Sequence, residues 1–103
     1  MQTGSFVGYV TLGTTGFKIR VLTTDTAGTP TAPSAAPTYR VRGPGGQVLS
    51  GTTTQVGAIT GLYEASIDVT VPNGFAAGTS YDIDFSYTVS AVARGQLKHF
   101  AVG

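Results

Sequence analysis

Short alternating runs of apolar and polar residues, broken by glycine and proline, are the feature that most restricts how this chain can fold. The clearest run alternates Tyr81, Ile83, Phe85, Tyr87 and Val89 with Asp82, Asp84, Ser86 and Thr88. A period of two places one set of side chains on each face of a β-strand. No window of useful length has helical spacing, so the pattern predicts an all-β chain.

Seven such runs occur, at 5–13, 17–23, 38–43, 47–55, 60–69, 80–92 and 94–103. Seven short strands in 103 residues are typical of a two-sheet β-sandwich, with a small closed barrel as the alternative. We expect Phe6, Val10 and Leu12 to share the inner face of the first run. In the last run, Leu97, Phe100 and Val102 are the inward residues, and their uneven spacing predicts a bulge.

The length of 103 residues fits one domain, 1–103, with a short N-terminal arm at 1–5. The chain has no cysteine, so the fold depends on no disulfide or thiolate metal site. We therefore expect one hydrophobic core to carry the stability.

Charged residues make up 11% of the sequence, against roughly 25% in average domains. A net charge of +1 is too small to grip nucleic acid or an anionic membrane. The N-terminal residues lack the basic start and apolar stretch of a signal peptide, which predicts synthesis in the cytoplasm.

Four of the five acidic residues lie in two neighbouring runs: Glu64 and Asp68 in one, Asp82 and Asp84 in the next. A sequential meander would pair these two runs and set like charges against each other. Greek-key wiring would instead place Lys18 and Arg20 beside the first pair, and Arg40, Arg42 and Lys98 beside the second. The charges therefore favour Greek-key wiring of about seven antiparallel strands.

The segments GLYE at 61–64 and GTSYDI at 78–83 resemble bacterial and phage immunoglobulin-like domains. In that family a glycine shortly before a tyrosine marks the corner between sheets, which here corresponds to Gly78 and Tyr81. The resemblance implies that the Tyr81 hydroxyl bonds to nearby backbone. The cysteine pair and tryptophan of antibody-type domains are absent.

Within that group, a Gly-, Thr- and Ala-rich domain resembles small phage virion proteins of the head-decoration type. The resemblance implies a non-enzymatic module that binds a capsid or other virion protein, possesses no cofactor and forms homo-oligomers on the assembly. The alternative is a carbohydrate- or cell-surface-binding module of a host-recognition structure, which would need exposed aromatic rings in a flat platform. The predicted contact residues are Met1, Gln2, Thr3, Gly4, Ser5, Thr29, Pro30, Thr31 and Phe75.

Phe75 has two interpretations, as a cap on the open end of the sandwich or as an exposed contact for the partner. The arm at 1–5 and the loop at 25–37 are low in charge and are expected to conform to a partner on binding.

No pattern of residues in the sequence indicates catalysis. His99 is the single histidine, which makes a zinc site improbable in a chain without cysteine. Asp82 and Asp84 share one strand face, where ion pairing is the expected role and a calcium site with Asp25 or Asp68 the lesser alternative. No G-x-S-x-G motif or phosphate loop is present, so the chain is predicted not to be an enzyme.

Overall fold

A computed structural model describes residues 5–103. Within this range the chain forms eight strands and one short 3-10 turn, Val71–Asn73. The strands are β1 (Ser5–Val10), β2 (Thr14–Leu22), β3 (Thr38–Gly43), β4 (Gly46–Thr52), β5 (Thr54–Gln55), β6 (Leu62–Val69), β7 (Thr79–Val89) and β8 (Val92–Val102). No helix in the described range is long and apolar enough to cross a membrane.

The strands form two sheets, which confirms the prediction of an all-β sandwich. One sheet has the order β1-β8-β7-β3-β4 and the other the order β2-β6-β5. The inward residues of both sheets make one core, because alternate side chains of each strand point to the same side. The five apolar residues of the 81–89 run are all buried, as predicted. This strand lies inside the larger sheet, with β3 on one side and β8 on the other.

The two acidic strands lie in different sheets, β6 in the smaller and β7 in the larger. Arg20 lies directly opposite Glu64 in the β2–β6 register, and the two side chains are 3.3 Å apart. Arg42 and Asp84 are 3.8 Å apart across β3 and β7. The predicted separation of the acids is confirmed, and basic strands flank both of them.

The prediction for Lys98 is wrong. This residue pairs with Ile83 in the β7–β8 register, so it points to the inner side of the sheet and not toward the acids on the outer side. β7 and β8 pair residue by residue without a shift, so the expected bulge is not found there. Leu97 consequently lies on the face opposite Phe100.

The strand count and direction also differ from the prediction. The 47–55 run divides into β4, which pairs with β3, and β5, which pairs with β6 in the other sheet. Thr53 lies buried at the break, where its backbone N–H and its hydroxyl both donate to the Pro37 carbonyl. These bonds hold the chain where it leaves one sheet for the other. In addition, β1 runs parallel to β8, so the strands are not all antiparallel.

A bulge was predicted in the last run, at 94–103, but the structure has its register shift in β1. Its register with β8 shifts between Phe6 and Tyr9, and Gly8 within the shift has φ of 127°. Glycine adopts this backbone conformation without the steric cost of a Cβ. Because of the shift, Val10 is buried while Phe6 is 48% exposed, so the placement of Phe6 in the core is wrong.

The β7–β8 hairpin turns through Ser90 and Ala91, which both have positive φ, 51° and 64°. Positive φ at both central residues is the requirement of a type I′ turn, which asparagine followed by glycine satisfies best.

We expect the double change Ser90→Asn and Ala91→Gly to raise the free energy of unfolding by about 1 kcal/mol. Urea denaturation measures it. Ala27→Gly, in an exposed turn without positive φ, is the control and should bring no gain; an unchanged midpoint for the double variant would contradict the expectation.

Candidate binding surfaces

The predicted N-terminal contact residues lie largely outside the described range. Met1 to Gly4 are not among the residues that the structure describes, and Ser5 begins β1, where its backbone pairs with Lys98. The role of the arm in binding a partner therefore stays a prediction. The structure shows that β1, which begins at Ser5, is an edge strand of the five-stranded sheet.

The second predicted contact segment, Thr29 to Thr31, lies in a loop with defined internal hydrogen bonds. The Asp25 carboxylate accepts the backbone N–H groups of Ala27 and Thr29 at 2.9 and 3.0 Å. This closes a compact turn that leaves Thr29 and Pro30 exposed and Thr31 half-buried. The Asp25 carboxylate is therefore engaged in closing the turn.

Thr23 anchors the base of this loop. Its hydroxyl is fully buried and lies 2.7 Å from the Thr31 carbonyl and 3.2 Å from the Gly61 carbonyl. Its backbone N–H donates to Gly61 and its carbonyl accepts from Thr31. The loop is therefore fixed at its base, and it can adapt to a partner only near its tip.

Phe75 lies in the connection between β6 and β7 and is 3% exposed. Its ring packs edge-on against Tyr81 at 4.9 Å between centroids and reaches Phe100 at 6.2 Å. The structure supports the capping interpretation. In this conformation the ring offers no surface to a partner.

Tyr81 closes the same corner. Its hydroxyl accepts the backbone N–H of Ala76 at 2.9 Å, which is the kind of bond that the resemblance implied for this tyrosine. Gly43 leaves room for the ring, since a Cβ at that position would lie 2.6 Å from it. The ring therefore links the β6–β7 connection to the core.

Removing the Tyr81 hydroxyl should weaken this corner. Tyr81→Phe leaves the Ala76 N–H without its partner, and we expect the free energy of unfolding to fall by about 1 kcal/mol. Tyr9→Phe is the matched control, because Tyr9 is 81% exposed and should show almost no effect. Equal denaturation midpoints for the two variants would show that the corner bond contributes nothing.

The β1 edge exposes the apolar and aromatic residues Phe6, Val7 and Tyr9, with the half-buried His99 of β8 beside Phe6. We call these four residues the edge cluster. The Phe6 ring contacts Tyr9 at 5.1 Å with an interplanar angle of 73°, and His99 at 5.2 Å. Tyr9 is 81% exposed and Val7 38%. Among the residues whose burial the structure describes, Phe6 and Tyr9 are the two exposed members of the Phe, Tyr and Trp class.

Sequence reasoning missed the edge cluster because it placed Phe6 in the core. The available signal was Gly8, since a single glycine inside a strand pattern often marks a bulge. A bulge at that point changes which side chains face outward. The expectation that His99 is a strand residue near the sheet surface agrees with its half-buried position on β8.

A shallow depression of about 400 Å³ lies near the β7–β8 hairpin on the larger sheet. Its lining is mostly small and polar: Ser34, Ala35, Ala36, Thr38, Ser86, Tyr87, Thr88, Ala93 and Arg94. One charged group and no enclosed apolar wall give it little to hold a small ligand with.

Several other polar side chains make structural hydrogen bonds. Asp68 accepts the backbone N–H of Gly16 at 2.9 Å, and Lys18 donates to the Ser66 hydroxyl at 2.9 Å. Burial raises the pKa of the Tyr39 phenol, and the Asp68 carboxylate raises it further, so this hydroxyl stays protonated at neutral pH. Among residues 5–103, no three histidine or acidic side chains are grouped to hold a metal ion.

Comparison of the chain with protein families, with curated proteins and with solved structures finds no match.

Proposed function

We propose that this chain is a non-enzymatic binding module of a phage virion, a decoration of the capsid or another component of the virion surface. In this proposal it is made in the host cytoplasm and attaches to a protein of the shell. The single observation that carries the proposal is the edge cluster, an apolar and aromatic surface on a domain that otherwise presents mostly small polar side chains.

The wiring proposed for the domain is immunoglobulin-like. Three features support it: the separation of β6 and β7 into different sheets, the position of β7 between β3 and β8, and the corner bond from Ala76 to Tyr81. In such a domain the sheets are a rigid support, and the edges and loops make the contacts.

The edge cluster suits a protein partner in its chemistry. Aromatic side chains are enriched at the centres of protein interfaces, where they bury a large area at a low cost in side-chain entropy. β1 also lies at the edge of its sheet and carries no charged residue in its six positions. A shell protein could therefore cover the cluster without removing a strand charge from water.

The test is binding to capsids prepared without this protein. We expect saturable binding of the wild-type chain and a loss of at least about tenfold in affinity for Tyr9→Ser, because truncating an aromatic residue at the centre of an interface costs about 2 kcal/mol or more. Val71→Ser is the matched control, since Val71 is 66% exposed and lies outside the five-stranded sheet, in the turn Val71–Asn73. Absence of wild-type binding to capsids and tails would reject the proposal.

The second candidate function is glycan binding at the same cluster, favoured by the exposure of the Tyr9 ring beside Phe6. The 73° angle between the two rings gives a ridge and not the flat platform that stacking on a sugar requires. Glycan-array binding that Tyr9→Ser abolishes, together with no binding to shells, would favour this second function.

A further inference from the structure

Two rows of opposite charge lie side by side on the outer face of the five-stranded sheet. Asp82 and Asp84 form an acidic row on β7, and Arg40 and Arg42 form a basic row on β3. The register pairs Arg42 with Asp82 and Arg40 with Asp84, so each acid has a base beside it on the neighbouring strand.

The chain's own ion pairing leaves half of these charges unused. Arg42 and Asp84 approach to 3.8 Å with their side chains 48% and 37% exposed. Within residues 5–103, neither Arg40 nor Asp82 has an opposite charge within ion-pair distance. The two groups are exposed, and both can accept a partner from outside the chain.

We propose that a second copy of this chain docks on this face, related by a twofold axis that runs parallel to the strands between β3 and β7. Rotation about that axis places the acidic row of each copy over the basic row of the other. Asp82 then faces Arg42 of the partner subunit, and Asp84 faces Arg40 of the partner subunit. The contact is isologous, so each such pair is formed twice.

The charge pattern selects this axis over the other one available to two facing sheets. A twofold axis perpendicular to the strands would set β7 against β7, and four carboxylates would oppose one another. Like charges in direct opposition are destabilising, whereas opposite charges stabilise. The acidic and basic rows therefore determine the orientation of the two copies more strongly than they increase the affinity of the dimer.

The dimensions of the face fit such a contact. The proposed axis brings four strands of each copy together, β8, β7, β3 and β4, because β1 lies beyond the overlap. Four strands spaced about 4.8 Å apart and six to eleven residues long give an area of roughly 550 Å², below the 800 Å² per partner of a standard interface and in the range of weak contacts. Packed sheets lie about 10 Å apart, a gap that a long arginine and a short aspartate span together. Since the contacts are polar, we expect a weak dimer that dissociates as salt rises.

This inference does not depend on the proposed function, because Phe6 and Tyr9 of the edge cluster lie on β1, beyond the four strands that the proposed axis brings together. Sedimentation velocity of the full chain at low salt tests it over micromolar to millimolar concentrations. We expect a reversible dimer for the wild type. The charge reversal Arg40→Asp with Arg42→Asp should give a monomer, and so should Asp82→Arg with Asp84→Arg. An equal mixture of the two variants should restore a dimer.

A matched control changes the net charge by the same amount on the other sheet. Lys18→Asp with Arg20→Asp alters two exposed bases of β2 and should leave the dimer intact. Thermal melting of each variant verifies that it is folded. A wild-type chain that stays monomeric throughout, or a dimer that survives both reversals, would overturn the proposal.

Chemical cross-linking of cysteine variants keeps the native charges and identifies the twofold axis directly. Leu97 on β8 and Ser50 on β4 lie in the row of Asp84 and Arg40, so the proposed axis sets each one over the other in the partner. Since the chain has no cysteine, Leu97→Cys and Ser50→Cys give unique thiols. A short thiol cross-linker should join the two variants when mixed and join neither to itself. Self-linking of Leu97→Cys would show another axis.

Discussion

Phe100→Ala should remove about 3–5 kcal/mol from the free energy of unfolding, a large part of what a domain of this size possesses. Phe100 has no exposed surface, and its ring lies 5.4 Å from Phe17 of the smaller sheet and 5.8 Å from Tyr81. Its removal leaves a cavity between the sheets that rigid aromatic neighbours cannot fill. The loss is expected as a fall in the melting temperature of roughly 4–8 °C for each kcal/mol.

Phe6→Ala is the control for this substitution. It deletes the same atoms from a ring that is 48% exposed, so the loss of stability should stay below about 1 kcal/mol. Chemical denaturation compares both variants with the wild type. Similar losses for the two would mean that the core is not organised around Phe100.

Gly61→Ala should destabilise the chain by about 2–4 kcal/mol, because two separate costs coincide at this position. Gly61 has φ of 81°, a conformation in which a Cβ is strained. That Cβ would also lie 2.8 Å from the Thr23 carbonyl oxygen, which is a backbone atom and cannot rotate away. The substitution therefore disturbs the bonds that anchor the base of the 25–37 loop.

Gly57→Ala separates the two costs. Gly57 also has positive φ, 57°, but a Cβ there would meet no atom within 4 Å. We expect a loss of about 1 kcal/mol from conformation alone. If Gly61→Ala costs no more than Gly57→Ala in urea denaturation, the close approach of Thr23 is not a constraint on the fold.

Sequence reasoning succeeded where a strand is flanked on both sides and covered on one face. β7 meets these conditions, so its alternation identified all five of its buried residues. The sequence-based prediction failed where a polar residue is buried through its hydrogen bonds and not through apolar contacts. Thr53 is buried by its bonds to Pro37, which no hydropathy pattern reveals, and so the division of the 47–55 run into two sheets was not predicted.

β8 shows a related limit. Gln96 and Lys98 lie on its inner side, although alternation would reserve that side for apolar residues. The covering sheet has three strands against five, so part of the inner face stays open to polar groups. Gln96 uses this opening to donate to the Leu22 carbonyl and to the Tyr87 hydroxyl.

The candidate surfaces were predictable only in part. The exposed tip at Thr29 and Pro30 followed from composition, while the burial of Phe75 required knowledge of which rings meet at the corner. The edge cluster depended on one bulge at Gly8. The charge rows were visible as residues, but their exposure as two adjacent rows became clear only with the β3–β7 register.

The parallel pairing of β1 with β8 has a mechanical consequence. Tension on a chain pulled at the two ends of this domain would enter at the Ser5 end of β1 and leave at the Val102 end of β8. Because the strands are parallel, this load acts along their shared axis and shears the β1–β8 hydrogen bonds together instead of opening them one after another. The bonds from Gly103 to Val10 and from Leu12 to Gly103 extend the sheared row by one step. Tethered at its ends, the domain would therefore resist sudden pulling more than its small core suggests.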